Sequence, residues 1–185
     1  MIGLTILGVI VVLLAVFLIS VYNSLVQLRQ RVQNAWAQVD VQLKRRYDLI
    51  PNLVGAVKGY AQHEKSTLES VTQARNMAMN AKNIQEQMQA ENMLTGALRS
   101  LFAVAEAYPE LKANANFMQL QAELTDTESK IAFARQFYND TVQKFNTKIE
   151  LFPTNLVAGM LGFAMVDYFN LQGEPDARQA VKVEF

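Results

Sequence analysis

The residues best able to do chemistry are few. His63 is the one histidine, and Glu64 follows it, so the pair opens like an H-E-x-x-H motif, in which two histidines ligate zinc and the glutamate serves as base. Position 67 is Thr67, so the second ligand is missing. A serine hydrolase built on His63 would need a G-x-S-x-G elbow to present its nucleophile, and the chain contains none; P-loop and G-x-G-x-x-G runs are absent too. With no cysteine there are no disulfides, no thiolate nucleophile, no iron–sulfur ligation and no residue for a lipoprotein's acyl anchor. The sequence predicts a non-enzymatic protein without a catalytic, cofactor-binding or metal site.

A polar cluster divided between two stretches carries more information. Arg45, Arg46, Asp48 and Asn52 fall close together, and Arg135, Asn139, Asp140 and Asn146 lie about ninety residues later. Helical spacing puts Arg135 on one face with Tyr138 and Asn139. Read as structure, Asp48 caps a helix and an arginine pairs with Asp140 to fix helix register. Read as function, the cluster lines a polar pocket, and a hydrolase working there would show carboxylates of shifted pKa in a cleft around Arg135 to Asp140. The structural reading is favoured, because half-buried positions in bundles use such pairs for specificity without a ligand.

The elements that must hold these residues are helices. Apolar residues recur at three-four spacing from Leu25 through Leu28, Val32, Ala35 or Trp36, and Val39 to Leu43, which predicts one helix as far as about Tyr47, projecting roughly 35 to 40 Å from a membrane surface. Pro51 is expected to break it, with Asp48 as the N-cap of a second helix running to about Asn80 through Val54, Val57, Ala61, Leu68 and Val71. Gly55 and Gly59 on that helix suggest close approach of a neighbour. A third helix fits Ile84 to Ala107 with Met88, Leu94, Leu98, Leu101 and Ala105 as its seam, and Pro109 ends it. In the fourth, Phe117, Leu124, Ile131, Tyr138 and Phe145 repeat every seven residues, with Leu120 and Ala134 between, and the helix ends before Pro153. Four such stripes pack most economically as an antiparallel bundle, an all-α fold of coiled-coil character.

Leu156 to Met165 is apolar but too short to span a bilayer, and reads as a short helix buried against the bundle or lying at the membrane surface, core packing being favoured. Met77, Met79, Met88, Met93 and Met118 read as core filling rather than a deformable docking surface. After Gly173 the tail alternates apolar and polar at Val181, Val183 and Phe185, which suits a loose terminus or a strand docking on another subunit. The organisation is thus an anchor over 1–21, a bundle over 22–172 and an extended tail over 173–185.

The anchor is the plainest feature. Residues 1–21 are apolar except for Thr5 and Ser20, and no charge precedes Arg29. A helix of about 20 such residues spans roughly 30 Å, the thickness of a bilayer core. A cleaved signal peptide would carry a basic start and a small-x-small cleavage site, whereas this stretch has no leading Lys or Arg and ends in Val21 and Tyr22, so an uncleaved single-pass anchor is expected. Arg29 and Arg31, with Lys44, Arg45 and Arg46 beyond, outweigh Asp40 and Asp48 after the span, which places the N-terminus outside and the helical domain in the cytoplasm. Seventeen basic and seventeen acidic side chains cancel, so no overall field draws the protein to nucleic acid.

The segments VQNAWAQVDVQLKRRYDLIPNLV (32–54) and IAFARQFYNDTVQKFNTKIELFPTNLVAGMLGF (131–163), with MIGLTI ahead of a single span, resemble the LemA family of bacterial membrane proteins over nearly the whole chain. The resemblance implies a single N-terminal span in the bacterial inner membrane, a short outer N-terminus and a soluble antiparallel bundle, with no established catalysis. Relatives encoded beside a membrane peptidase of the HtpX type imply such a peptidase as partner, and a magnetosome member implies work on internal membranes. Together these readings point to a homo-oligomeric scaffold that organises the lipid bilayer or its proteins, with an adaptor for a membrane-bound peptidase or other envelope protein as the alternative.

Overall fold

The computed structural model describes residues 2–61 and 63–170, and the alternating tail over 173–185 lies outside them. Among the described residues all regular structure is helical: α1 (Ile2–Lys58), α2 (Lys65–Met79), α3 (Ile84–Glu106), α4 (Pro109–Lys112), α5 (Ala115–Glu150) and α6 (Thr154–Met160). The chain divides into two compact units, and α1 and α5 each contribute a segment to both.

One unit holds residues 2–39 and 133–168. Its start is the apolar part of α1, long and apolar enough to cross a membrane, and none of that stretch is buried within the protein. Burial begins at Val21 and follows the three-four stripe through Leu25, Val32, Ala35 and Val39. From α5 the buried residues are Tyr138, Val142 and Phe145, and Trp36 meets Tyr138 edge-to-face at 5.3 Å between ring centres. After α6 the chain turns at Gly162, whose φ of +71° is cheap only for glycine. The Phe163 amide donates to the Ala158 carbonyl at 3.0 Å and the Gly162 amide to Gly159, which satisfies the last carbonyls of α6 in a Schellman turn.

The other unit holds residues 40–132, 169 and 170. Here α2 packs on α3, and the core combines Leu43, Ile50, Leu53 and Val57 of α1 with Val71, Leu94, Leu98, Leu101, Phe117 and Leu124. Asn83 caps α3, its side chain accepting from the Glu86 amide at 2.8 Å, while the Glu86 carboxylate accepts from the Lys82 amide. Asn114 caps α5 in the same way through the Phe117 amide.

Three expectations need correcting. Pro51 does not break the first helix: α1 runs through it to Lys58, and the corner lies over residues 59–64. A proline here removes the amide that would donate to the carbonyl four residues back, that of Tyr47, and Nε of Arg75 on α2 donates to that carbonyl instead at 2.7 Å. Asp48 consequently sits exposed within the helix and caps nothing. Gly55 and Gly59 do not mark a close neighbour, since a methyl group at Gly55 would meet nothing within 4 Å and one at Gly59 only the Ala56 carbonyl. Met77, Met79, Met93 and Met118 are about half exposed rather than core, because each falls beside its helix's buried stripe and not on it.

Candidate functional site

In the second unit Arg46 and Glu91 are both buried, at 1% and 0% exposure. Each sits where a helical apolar stripe should hold a hydrophobe: Arg46 between Leu43 and Ile50, Glu91 three residues before Leu94. Two such charges survive out of water only if they meet and their remaining donors and acceptors are filled. Arg46 Nη1 donates to Glu91 Oε2 at 2.8 Å, and Nη2 donates to the Thr95 hydroxyl at 2.9 Å. The second oxygen, Glu91 Oε1, accepts from the Tyr47 hydroxyl and from Gln87 Nε2, the latter at 3.0 Å, and Gln87 also donates to the Tyr47 oxygen at 2.7 Å. Arg46 Nε lies 2.8 Å from Oε1 of the partly exposed Glu128, off the N–H direction, so that contact is an attraction between charges without a hydrogen bond.

The electrostatics follow from this packing. Burial, then the Glu91 charge and the hydrogen bond to it, raise the Tyr47 phenol well above its ordinary value, so it remains a neutral donor. Glu128 is raised by desolvation first; Arg46 pulls it down and Glu91 pushes it up. Both terminal nitrogens of Arg46 and both carboxylate oxygens of Glu91 are taken up by side chains of the same array, and only Arg46 Nε is left without a hydrogen bond. The arrangement ties α1, α3 and α5 into one register.

In the first unit the constellation is a strap. Residues after α6 lie beside α5, and the Asn146 amide grips Val166 at both backbone atoms: its Nδ2 donates to the Val166 carbonyl and its Oδ1 accepts from the Val166 amide, each at 2.9 Å. About two turns earlier on α5 the Tyr138 hydroxyl donates to the Asp167 carbonyl at 3.0 Å. Burial, with the Asp167 charge adding to it, pushes the Tyr138 phenol up to about 12.

Of the eight residues singled out in the sequence, Arg46 and Asn146 are buried at the centres of these two constellations. Arg45 is exposed, 3.9 Å from Asp126, whose carboxyl is held below its ordinary value mainly by a hydrogen bond from Lys130. Asp48, Asn52 and Asp140 are exposed, and Arg135 and Asn139 are half-buried. The buried arginine's carboxylates are Glu91 and Glu128, not Asp140. His63 is exposed in the turn before α2, and no group of three potential metal ligands occurs among the described residues. A cleft of about 900 Å³ between the end of α1 and α2 is lined by Val54, Leu68 and Met77 together with Lys58, Lys65 and Glu69.

The model of the LemA family matches residues 35–185. The chain is 30% identical to "Protein LemA" of Metamycoplasma hominis over 80% of its own length and 68% of that protein's. It is 24% identical to "Magnetosome protein MamQ 2" of Paramagnetospirillum magneticum and, to the same extent, to "Magnetosome protein MamQ" of Magnetospirillum gryphiswaldense, in each case over 80% of its own length. Against these magnetosome proteins the chain spans 64% of their length, somewhat under two thirds.

Proposed function

Because the chain belongs to the LemA family, we propose that it acts without catalysis, as a membrane-anchored helical scaffold that self-associates and organises membrane or membrane proteins. One observation carries this reading: the buried charges Arg46 and Glu91 are spent on each other, while Phe133 and Phe137, one helical turn apart on α5, stand 72% and 51% exposed. Two outward aromatic rings at i, i+4 spacing form a ridge suited to packing against another helix. The magnetosome proteins among its relatives fit a membrane-associated role, and the cations Arg29 and Arg31 after the span favour the helical domain on the cytoplasmic face of the bacterial inner membrane.

Extraction in mild detergent followed by light scattering tests the proposal. A species larger than one chain, reduced to a single chain by Phe133→Ser with Phe137→Ser, is the expected result; a strictly monomeric parent protein would remove it. The same ridge also suits an adaptor that binds a membrane-bound peptidase, of the HtpX type or another. Crosslinking in native membranes separates the two, since a scaffold gives chiefly self-adducts and an adaptor one defined foreign partner.

A further inference from the structure

Helix α6 has two faces. Thr154, Val157 and Ala158 are buried, whereas Leu156 and Met160, on the other side, are 60% and 87% exposed, and Phe152 just before the helix is 78% exposed. Water tolerates single exposed apolar side chains, but a cluster of this kind on one short segment marks a contact surface. What covers it follows from its neighbours. Leu18, Ile19 and Tyr22 of α1 line an apolar cleft of about 290 Å³ together with Val157, Met160 and Leu161. Leu18 and Ile19 belong to the apolar stretch long enough to cross a membrane, so side chains lining the same cleft share the depth at which that stretch sits.

The chemistry just beyond is that of a membrane interface. Tyr22 packs edge-to-face on Phe163, with 6.2 Å between ring centres, and the Arg29 guanidinium, two turns further along α1, lies over the Phe163 ring, 5.4 Å from its centre. An aromatic belt with a cation on its watery side is how spanning helices meet the headgroup layer. Amphipathic segments settle there by burying their apolar face in the acyl boundary. We propose that α6, with Phe152, is a second membrane contact that lies in the acyl boundary of the leaflet where the span emerges, the cleft beside Leu18 accepting a lipid chain. The span would then be held against tilting by a foot set beside it. This rests on the anchoring half of the proposed function and not on self-association.

The chain has no cysteine, so single Leu156→Cys, Met160→Cys, Val12→Cys and Gln119→Cys variants of the full-length protein each take one polarity-sensitive fluorophore. In phosphatidylcholine vesicles with brominated acyl chains, labels at positions 156 and 160 are expected to lose emission as the label at 12 does, and to resist aqueous iodide that quenches the label at 119. Iodide quenching at 156 and 160 with lipid quenching at 12 alone would overturn the proposal and leave the span intact. Protection of 156 and 160 from both quenchers would also overturn it, because protein would then cover the face. Absence of lipid quenching at 12 would remove the anchor and the foot together.

Discussion

Nε of Arg75 donates to the backbone carbonyl of Tyr47 at 2.7 Å, the carbonyl that Pro51 leaves without its helical amide. A proline inside a helix ordinarily costs about 3 kcal/mol, partly through that lost bond, so α1 stays intact because α2 supplies the missing donor. Replacing Arg75 by Met should leave the carbonyl unfilled and destabilise the protein by about 1–3 kcal/mol. In a Pro51→Ala background, where the backbone amide returns, the same change should cost less than about 1 kcal/mol. Denaturant unfolding of the four proteins in micelles gives the coupling directly, and equal costs in the two backgrounds would show that Arg75 does not serve this carbonyl.

The Arg46–Glu91 pair should behave as a buried pair does when one partner is lost. Arg46→Met strands the Glu91 carboxylate among Tyr47 and Gln87 and is expected to destabilise by about 3–5 kcal/mol. Adding Glu91→Met should recover part of that loss, so that the double variant costs clearly less than the sum of the single ones. Thermal unfolding followed by helical ellipticity measures this, and simple additivity would dissolve the pairing argument.

Asn146→Asp tests the strap. At neutral pH the new carboxylate can still accept from the Val166 amide but faces the Val166 carbonyl with no proton to offer, a loss of about 1–3 kcal/mol. Folding favours the protonated acid here, which raises its pKa in the folded protein. The lost stability therefore returns below the ordinary carboxyl range and disappears as pH rises through the raised value. Amide hydrogen exchange over residues 163–168 as a function of pH should show protection recovering on acidification.

Alkaline conditions act on Tyr138 with a definite sign. Its phenol is pushed up to about 12 in the folded protein from an ordinary value of 10.0, so between these values the folded chain binds more protons than the unfolded one. Stability then falls as pH rises, by about 2–3 kcal/mol over the interval. Tyr138→Phe, which has no proton to lose, should be less stable near neutrality yet flatter in alkali. Unfolding free energies of the two proteins measured across that range decide it.

Much of this architecture is written in spacing. Leu25, Val32, Ala35, Val39 and Leu43 of the first stripe and the whole seven-residue series from Phe117 to Phe145 are buried, because both record one helix face repeating at its own period. Pro51 misleads for a physical reason: proline's cost is local, and the Arg75 side chain that offsets it is a tertiary contact invisible in a window of sequence. Arg46 stood out by type, but its partners did not. Glu91 could have been found, since it falls on the stripe of α3 formed by Leu94, Leu98 and Leu101, and a carboxylate there must be buried and must have a counter-charge. Thr95 and Gln87, flanking it one turn either way, carry no such mark. Asn146 and Asp140 look alike by residue type, but only Asn146 lies on the buried side of α5, a distinction visible in the heptad phase of Phe145 and Tyr138.

Arg46 also has a consequence for how the chain is made. It leaves the ribosome well ahead of Glu91, which follows 45 residues later, and ahead of Glu128. Through that interval the apolar stripe of α1 on either side of Arg46 has no partner helices to cover it. An arginine in the middle of that stripe costs about 2.5–3.5 kcal/mol to carry into a bilayer, so the stripe stays on the watery side until its counter-charges have been synthesised. The same side chain that locks three helices together therefore also holds this stripe out of lipid.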